Sequence, residues 1–511
     1  MSKVTDTTKG TVERLNEVNE SGLNPHIKII AGEPVPVNPV WDVQAPMPDV
    51  GDSLEEYEFF RKDFPDVNSG TKASKETYDI TVTDLDKWIK WSDAEIDVRA
   101  QMVDNSTKAV SYDTNERVAL NNISQGAFRN FTLEFDGQRI GDMKRYVGDE
   151  GLIKAILRDE GADKSVENVF RFMEDGLLNI STASSSAPAV VNLFDSTLSG
   201  YTGTVTAGTP LSGLTASYIK TEVDRTGNPK GYYDWRRTNK SFMKRQYYST
   251  RANIYFRIRL REVFDFLYKY RKPIKGTKVK ISFEKNGYKN MFHRVGTTTD
   301  AYLNIDRMEL HYPVLKPNTP TESYLIDQRR DNIAVIWNEY TVHKSPSVPS
   351  TTQYRWTIDN SAKMPQYVYA FVQKAARIDT QVFNNMIYDN LDMKNISIYI
   401  NSTKYPTKID FKKSFSDNDY AILYRQLENA ARMEGNRNFQ LSLEQFQNVY
   451  SIIAIPIVEA QTLYANKGIA TLDVEIEFNS ATSENFYVGA LVVSKRNLVL
   501  DYKQDKLQVI V

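Results

Sequence analysis

The sequence contains no cysteine. Without thiols the chain has no disulfide, no thiolate nucleophile and no cysteine-ligated zinc site. A cysteine protease is therefore excluded. The fold must be held together by packing and hydrogen bonds.

Histidine is also scarce, because only His26, His293, His311 and His343 occur and no two are closer than 18 positions. A cupin-type metal enzyme needs clustered histidine ligands. The G-x-x-x-x-G-K-[ST] spacing of a P-loop ATPase is missing as well. We therefore predict that the protein is not an enzyme and has no catalytic residue, metal site or cofactor.

The chain has no charge excess, since 64 Lys and Arg face 65 Asp and Glu. Such a balance gives no general attraction to nucleic acid or to an anionic membrane. The sequence also lacks an apolar run of the length that spans a membrane, and "MSKVTDTTKGTVERLNEVNE" has no signal-peptide core. We expect a soluble, non-secreted chain without a membrane span.

The length of 511 residues exceeds what one hydrophobic core supports, so two domains are expected. Residues 1–75 are polar and rich in Pro and Asp, which predicts an extended N-terminal arm. From Tyr78 onward, short runs alternate apolar and polar residues between turn residues, as in "YDITVTDLD" and "AEIDVRAQM". This period-two pattern predicts β-strands.

The stretch "FTLEFDGQRI" gives the sharpest local prediction. Phe131, Leu133 and Phe135 share one strand face, and Asp136-Gly137 provides the positive φ angles of a tight hairpin. A short helix is predicted next, in "VGDEGLIKAILRDEG". The second half has the same character, with strands such as "QYVYAFVQ" and "TLDVEIEF" and one convincing helix at about residues 417–435. Many strands and few helices indicate β-sandwiches.

Two segments of the first half stand apart. Residues 176–219 carry a single charged residue, Asp195, and predict a long surface loop. The basic, aromatic run that follows has two interpretations. It is a phosphate-facing patch, or it is a strand, "NIYFRIRL", whose arginines face solvent. On the first interpretation Arg236, Arg237, Lys244 and Arg245 contact nucleic acid.

The sequence also shows signs of duplication. "FTLEFDGQRI" before one helix resembles "ISIYINSTKY" before another, and "KVKISFEKN" resembles "DVEIEFNSA" further along. Two matched pairs in the same order suggest two copies of one β-unit, the first with an inserted loop.

These stretches resemble a known family. "ERVALNNISQGAFRNFTLEFDGQRIGDMKRYVGDEGLIKAIL" is similar to the first-domain signature of the double jelly-roll major capsid proteins of polintons, adintoviruses and virophages, a hexon-like lineage. "LDMKNISIYINSTKYP" is similar to the strand and corner of the second domain. The residues that carry the likeness are Asn121, Asn122, Phe128, Asp136, Gly137, Asn401, Ser402, Tyr405 and Pro406. The second corner is usually Asn-Gly, so Asn401-Ser402 predicts a wider loop.

The resemblance implies an all-β fold of two consecutive eight-stranded jelly rolls with short helices and long loops. The expected division is an arm at 1–75, a first jelly roll at 76–318 with a tower loop at about 176–232, and a second at 319–511. It implies homotrimeric, pseudo-hexagonal capsomers that tile an icosahedral double-stranded DNA virion, assembled inside the host cell. Expected partners are further copies, penton and minor capsid proteins and, indirectly, packaged DNA.

One alternative function stays open. A β-sandwich glycan-binding protein, such as a lectin or spike, could use exposed aromatic residues such as those in "GYYDWRR" at 231–237 to stack on sugars. Trimers or shells in solution would distinguish a capsid protein from this alternative.

Overall fold

A computed structural model describes the fold through most of the chain. The described residues are 27–30, 33–36, 54–64, 77–104, 117–119, 126–158, 179–180, 189–192, 204–205, 220–223, 229–233, 254–294, 300–328, 333–358, 365–378, 380–381, 385–405, 420–436, 439, 441, 443–448, 450–457, 471–501 and 508–510.

Nineteen strands precede residue 318 in the described part of the chain. In order they are β1 Ile27–Ile30, β2 Glu33–Pro36, β3 Leu54–Asp63, β4 Thr77–Val82, β5 Trp88–Ile89, β6 Glu95–Asp104, β7 Arg117–Ala119, β8 Phe128–Phe135, β9 Gln138–Arg139, β10 Lys144–Arg145, β11 Asn179–Ile180, β12 Ala189–Asn192, β13 Thr204–Val205, β14 Lys220–Val223, β15 Pro229–Tyr233, β16 Ile254–Arg259, β17 Val279–Lys285, β18 Phe292–Arg294 and β19 Ala301–Pro317.

Nine more strands follow. They are β20 Ile333–Lys344, β21 Gln353–Ile358, β22 Pro365–Lys374, β23 Met393–Ile400, β24 Thr403–Tyr405, β25 Ile453–Pro456, β26 Leu472–Phe478, β27 Phe486–Asp501 and β28 Gln508–Ile510. The described α-helices are α1 Val147–Leu157, α2 Leu260–Val263, α3 Asp265–Lys269, α4 Thr319–Gln328, α5 Ala421–Met433 and α6 Leu443–Asn448.

The first sandwich consists of two antiparallel sheets, in the orders β10-β8-β17-β4 and β16-β6-β19-β3. Short strands β9 and β5 extend them by pairing with β8 and β19. Alternation places the apolar side chains of both sheets between them, as in β8, where Phe131, Leu133 and Phe135 are buried. The sequence-predicted strand at 254–259 is confirmed, with Ile254, Phe256 and Ile258 buried.

The second sandwich repeats this connectivity. Its sheets have the orders β20-β27-β22-β25 and β21-β26-β23-β24, and β28 pairs with β27. When the eight main strands of each sandwich are numbered along the chain, both contain one sheet in the order 1-8-3-6 and one in the order 2-7-4-5. Both are eight-stranded jelly rolls, so the predicted all-β double jelly-roll fold is confirmed.

Strand β3 differs from the expected extended arm at residues 1–75. Leu54–Asp63 pairs along β19 from Leu54 opposite Pro317 to Asp63 opposite Glu309, and so supplies the first strand of the first jelly roll. The acidic run hides this strand because Glu56 and Glu58 share the strand face of Phe60, the residue that packs against the core. Backbone hydrogen bonds to β19 compensate for the weak apolar pattern.

The predicted repeat is confirmed in its strands but wrong in its register. Strands β17 and β26 occupy the same position, each pairing with the strand that leads into the hairpin corner. Phe135 pairs with Val279 and Ile400 pairs with Leu472, so Val279 corresponds to Leu472 and not to Val474. A two-residue offset preserves the buried face, which is why alternation alone could not detect it.

Inserted strands in the first half pair only among themselves in the described part of the chain. Strands β11, β12 and β13 form one small sheet, and β14 and β15 form a hairpin. They lie between α1 and β16 in the sequence, where the long loop was predicted.

Candidate functional site

The two hairpin corners are built alike. Asp136 and Gly137 have φ angles of 50° and 83°, and Asn401 and Ser402 have φ angles of 46° and 71°. Only these two residues separate the paired ends in each hairpin, since Phe135 faces Gln138 and Ile400 faces Thr403. The expectation of a wider loop at Asn401-Ser402 is therefore wrong. Serine accepts the left-handed conformation here at a cost of about 1 kcal/mol.

Side chains at both corners fasten the neighbouring strand. The Asp136 carboxylate accepts a hydrogen bond from the Lys278 N–H at 2.9 Å, and the Asn401 amide oxygen accepts one from the Thr471 N–H at 3.1 Å. Each contact lies just before the strand that pairs with the hairpin. The corner therefore sets the register of both strands, which explains why an acidic or amide side chain suits it.

Some of the remaining motif residues lie in the cores, and the others lie outside the described residues. Phe128 is buried in the first core and Tyr405 in the second. Asn121, Asn122 and Pro406 lie outside the described residues, as do the four residues of the proposed DNA patch, Arg236, Arg237, Lys244 and Arg245.

The most unusual chemistry lies where the two sandwiches meet. Six buried charged residues gather there, and we call them the junction cluster: Lys144, Glu150, Lys154, Arg158, Asp265 and Glu339. Five of them come from the first sandwich and its helices, and Glu339 comes from β20 of the second. With three cations and three anions, the cluster is formally neutral.

Lys144 is the centre of the cluster. Its ammonium group forms an ion pair with Asp265 and lies 3.0 Å from Glu339 Oε1 and 3.2 Å from Glu150 Oε1. It also donates a hydrogen bond to the Tyr340 carbonyl at 2.7 Å. A single lysine therefore connects β10 and α1 of the first sandwich with β20 of the second.

Three cationic side chains surround the Asp265 carboxylate. Lys154 Nζ lies 2.7 Å from its Oδ1 and Arg158 Nη2 lies 3.4 Å from the same atom. Burial opposes the charged carboxylate, but the surrounding cations outweigh burial and hold the pKa of Asp265 below its usual range. Burial likewise opposes the charge on Lys144, yet the neighbouring carboxylates raise its pKa.

For Glu339, burial outweighs the neighbouring cation. Burial raises its pKa and the charge of Asp265 adds to the rise, while Lys144 only partly offsets them. The Trp337 indole N–H donates a hydrogen bond to Glu339 Oε2 at 2.5 Å. Within the cluster the pKa of Asp265 is thus lowered and that of Glu339 is raised.

An apolar contact accompanies the ionic one. Val335, Trp337, Leu498 and Leu500 belong to strands of the second sandwich but pack in the core of the first. The Trp337 ring meets the Phe266 ring edge-on, with centroids 5.4 Å apart. Strands β20 and β27 therefore extend beyond their own sandwich and cover the end of the other.

A second contact reaches back from the connection after β22. The Gln381 amide exchanges hydrogen bonds with the backbone of Ala301, donating at 2.5 Å and accepting at 2.9 Å. The Tyr388 hydroxyl donates to Asp149 Oδ1 at 3.1 Å. The buried Arg377–Asp389 pair, at 2.8 Å, braces this connection. Ionic, apolar and hydrogen-bonded contacts together fix the sandwiches relative to each other.

Among the residues that the structure describes, no three His, Cys, Asp or Glu side chains form a group that could hold a metal ion. His311 instead belongs to a ladder of charges on the outer face of the first sandwich, 3.3 Å from Glu309 and 3.6 Å from Asp97. In the same part of the chain no helix is long and apolar enough to span a membrane.

Solved virus structures contain chains that are similar to this one. A chain of the Sputnik virophage, from a cryo-EM structure, has a TM-score of 0.50 at 11% identity, over 94% of this chain and 95% of that one. The Faustovirus major capsid protein gives 0.48 at 8% identity, over 97% and 98%. The mavirus major capsid protein gives 0.44 at 10% identity, over 89% and 90%. No curated protein matches the sequence.

A sequence model of the double jelly roll-like domain matches residues 233–493, slightly more than half of the chain. Together with the repeated strand order of the two sandwiches, this match shows that the chain belongs to the double jelly roll-like domain family.

Proposed function

We propose that the protein is the major capsid protein of a double-stranded DNA virus or a polinton-like element. One observation carries the proposal. Two eight-stranded jelly rolls of identical strand order stand in one chain and are joined by a buried junction. A chain with two similar jelly rolls presents two similar faces. A capsid tile requires such faces because it makes the same contacts repeatedly. The fold shared with the Sputnik virophage chain supports the same function.

The proposed assembly is a homotrimer. Three chains place six sandwiches in a ring, which gives a pseudo-hexagonal tile that packs with its neighbours in an icosahedral shell. Penton and minor capsid proteins would complete the shell. On this proposal the protein acts in the virion, after assembly inside the host cell, and has a structural rather than an enzymatic role.

The domain division is part of the proposal. We assign residues 76–318 to the first jelly roll and 319–511 to the second, with β3 of the preceding segment added to the first. Residues 1–75 otherwise form an arm that contacts neighbouring subunits. Residues about 176–232 form an outward tower between α1 and β16.

DNA contact is a separate question. Arg236, Arg237, Lys244 and Arg245 follow the tower in sequence, so an inner, DNA-facing position conflicts with an outer tower. A structure of the assembled particle would locate these residues. Their position on the outer face would end the proposal that they contact packaged DNA.

Light scattering on the purified full-length chain tests the trimer directly. A trimer has three times the chain mass of 58.5 kDa. Negative-stain microscopy of the same sample should then show pseudo-hexagonal particles. A strictly monomeric chain that binds glycans on an array would instead favour the alternative, a lectin-like or spike-like protein.

A further inference from the structure

The end of each sandwich carries an extension of the same two strands. In the second sandwich, β27 pairs with β22 up to Ser494, and beyond that point it continues beside β20. In the first sandwich, β19 pairs with β6 up to His311, and beyond that point it continues beside β3. We call residues 333–338 with 495–500 the second overhang, and residues 54–60 with 312–317 the first overhang.

Ser494 and His311 mark where the two overhangs begin, and they align the overhangs residue by residue. Two positions beyond Ser494 lies Arg496, which pairs with Trp337. Two positions beyond His311 lies Pro313, which pairs with Phe59. Phe59 of the first overhang therefore corresponds to Trp337 of the second, and both are aromatic.

The two aromatic residues differ in their surroundings. Trp337 points away from its own core and is only 4% exposed, because it docks against Phe266 of the first sandwich. Phe59 also points away from its own core, since its neighbour Phe60 packs inward, yet Phe59 is 51% exposed. Its ring contact is Tyr57 of the same strand, with centroids 5.6 Å apart.

The neighbours of Phe59 are already engaged within the chain. Leu315 is covered by Trp88 and by Leu325 of helix α4. The Arg61 guanidinium is paired with Glu309 at 2.5 Å. Phe59 is thus an exposed aromatic residue beside engaged neighbours, at the position where the second overhang makes its docking contact.

We propose that Phe59 anchors the first overhang to the second sandwich of another copy of this chain. The inference rests on the proposed trimer. In a ring of three copies, the junction within each chain alternates with a junction between neighbouring chains. The occupied junction lies at the end of the first sandwich marked by the Asp136-Gly137 corner, where Phe135 contacts Phe266 at 5.9 Å. The receiving surface is the matching end of the second sandwich, marked by Asn401-Ser402 and the buried Ile400.

This contact is heterologous, because an overhang meets the end of a sandwich and not another overhang. Heterologous contacts close into a ring when the rotation between copies allows it, and three copies complete such a ring here. An aromatic side chain that is exposed in the free chain and buried on association is typical of the centre of an interface.

The test compares three full-length variants by light scattering over a dilution series. Phe59→Asp places a charge in the contact and should weaken association by roughly tenfold or more. Phe59→Trp reproduces the residue of the occupied junction and should retain the trimer. Ile422→Asp is the matched control, since Ile422 is also exposed and apolar but lies on α5, and it should leave association unchanged.

Circular dichroism and thermal melting of Phe59→Asp should match those of the wild-type monomer, because Phe59 contributes little to the fold of the single chain. A Phe59→Asp variant that trimerises like the wild-type chain overturns the inference and leaves the proposed function intact. Equal weakening by Ile422→Asp also overturns it. A wild-type chain that stays monomeric would contradict the proposed function itself.

Discussion

Lys144 and Asp265 form an ion pair with both side chains almost completely removed from solvent. Buried pairs of this kind add little net stability, because desolvation offsets most of the attraction. Removal of one partner is costly, however, since the other charge is left without compensation.

Asp265→Asn should therefore destabilise the chain by about 3–5 kcal/mol. The change leaves three cations facing two carboxylates in the cluster. Urea unfolding measures the loss. Glu428→Gln is the control, because its partner Arg432 is mostly exposed, and we expect a change of under about 0.5 kcal/mol. Comparable losses in the two variants would contradict a structural role for the cluster.

Acid should weaken the junction through the same residue. The folded pKa of Asp265 lies below its unfolded value of 3.8, so the unfolded chain binds more protons between the two. Stability from Asp265 is thus fully present above the unfolded pKa and is lost as the pH falls through the folded pKa.

Glu339 has a raised pKa and acts in the opposite direction, so the pH dependence of the total stability combines the two residues. The difference in unfolding free energy between the wild-type chain and Asp265→Asn isolates the aspartate. This difference should be constant near neutral pH and shrink at acidic pH. A difference that grows on acidification would contradict the assignment.

The contribution of Lys285 to stability should depend on pH in the alkaline range. Burial lowers its pKa to about 8, and its ammonium donates a hydrogen bond to the Leu303 carbonyl. At pH values between the folded pKa of about 8 and the ordinary pKa of 10.5, the unfolded chain binds more protons than the folded chain. The free energy of unfolding therefore rises with pH in this range.

Lys285→Met should consequently stabilise the chain at pH 7, by about 1 kcal/mol once the lost hydrogen bond is counted. The gain should decrease as the pH rises above 8, where the wild-type lysine loses its proton. Thermal melting at pH 7 and pH 10 checks this. Equal gains at the two pH values would show that the benefit comes from packing and not from charge.

The Gly137 corner offers a test of backbone strain alone. Gly137 has a φ of 83°, and a Cβ added there meets no atom within 4 Å. Gly137→Val should still destabilise the first sandwich by roughly 1–2 kcal/mol, because a β-branched residue resists positive φ. Ser402→Gly is the converse change and should stabilise the second corner slightly. Unchanged melting of Gly137→Val would contradict the tight turn.

Gly489 tests close packing instead. It pairs with Phe371 across β27 and β22, and an added Cβ would lie 2.2 Å from the Phe371 ring. Gly489→Ala should cost about 1–3 kcal/mol, since the buried ring cannot move without disturbing the core. Adding Phe371→Leu should recover part of that loss in a double-mutant cycle. Strict additivity of the two changes would show that they act independently.

Much of the fold could be predicted from alternation and turn residues. Phe131, Leu133 and Phe135 face the core as their spacing indicated, and helices α1 and α5 lie where their apolar periodicity placed them. Strand β3 could not be predicted in this way, because it lies at the edge of its sheet and its inward face combines Phe60 with the charged residues Glu58 and Lys62.

The junction cluster was beyond sequence reasoning for a different reason. Lys144, Asp265 and Glu339 are more than 70 residues apart, and each resembles an ordinary surface charge in its local pattern. Their partners become apparent only when the two sandwiches are placed side by side. Similarly, the offset of two residues in the repeat needed the observed pairing of Ile400 with Leu472.

The neighbouring positions of β3 and β19 have an evolutionary consequence. Because the first and last main strands of the sandwich lie next to each other in one sheet, the chain enters and leaves the unit at the same edge. A second unit can then be appended in tandem through a link as short as helix α4, without rethreading either copy. This geometry makes gene duplication and fusion a simple origin for the two-unit chain.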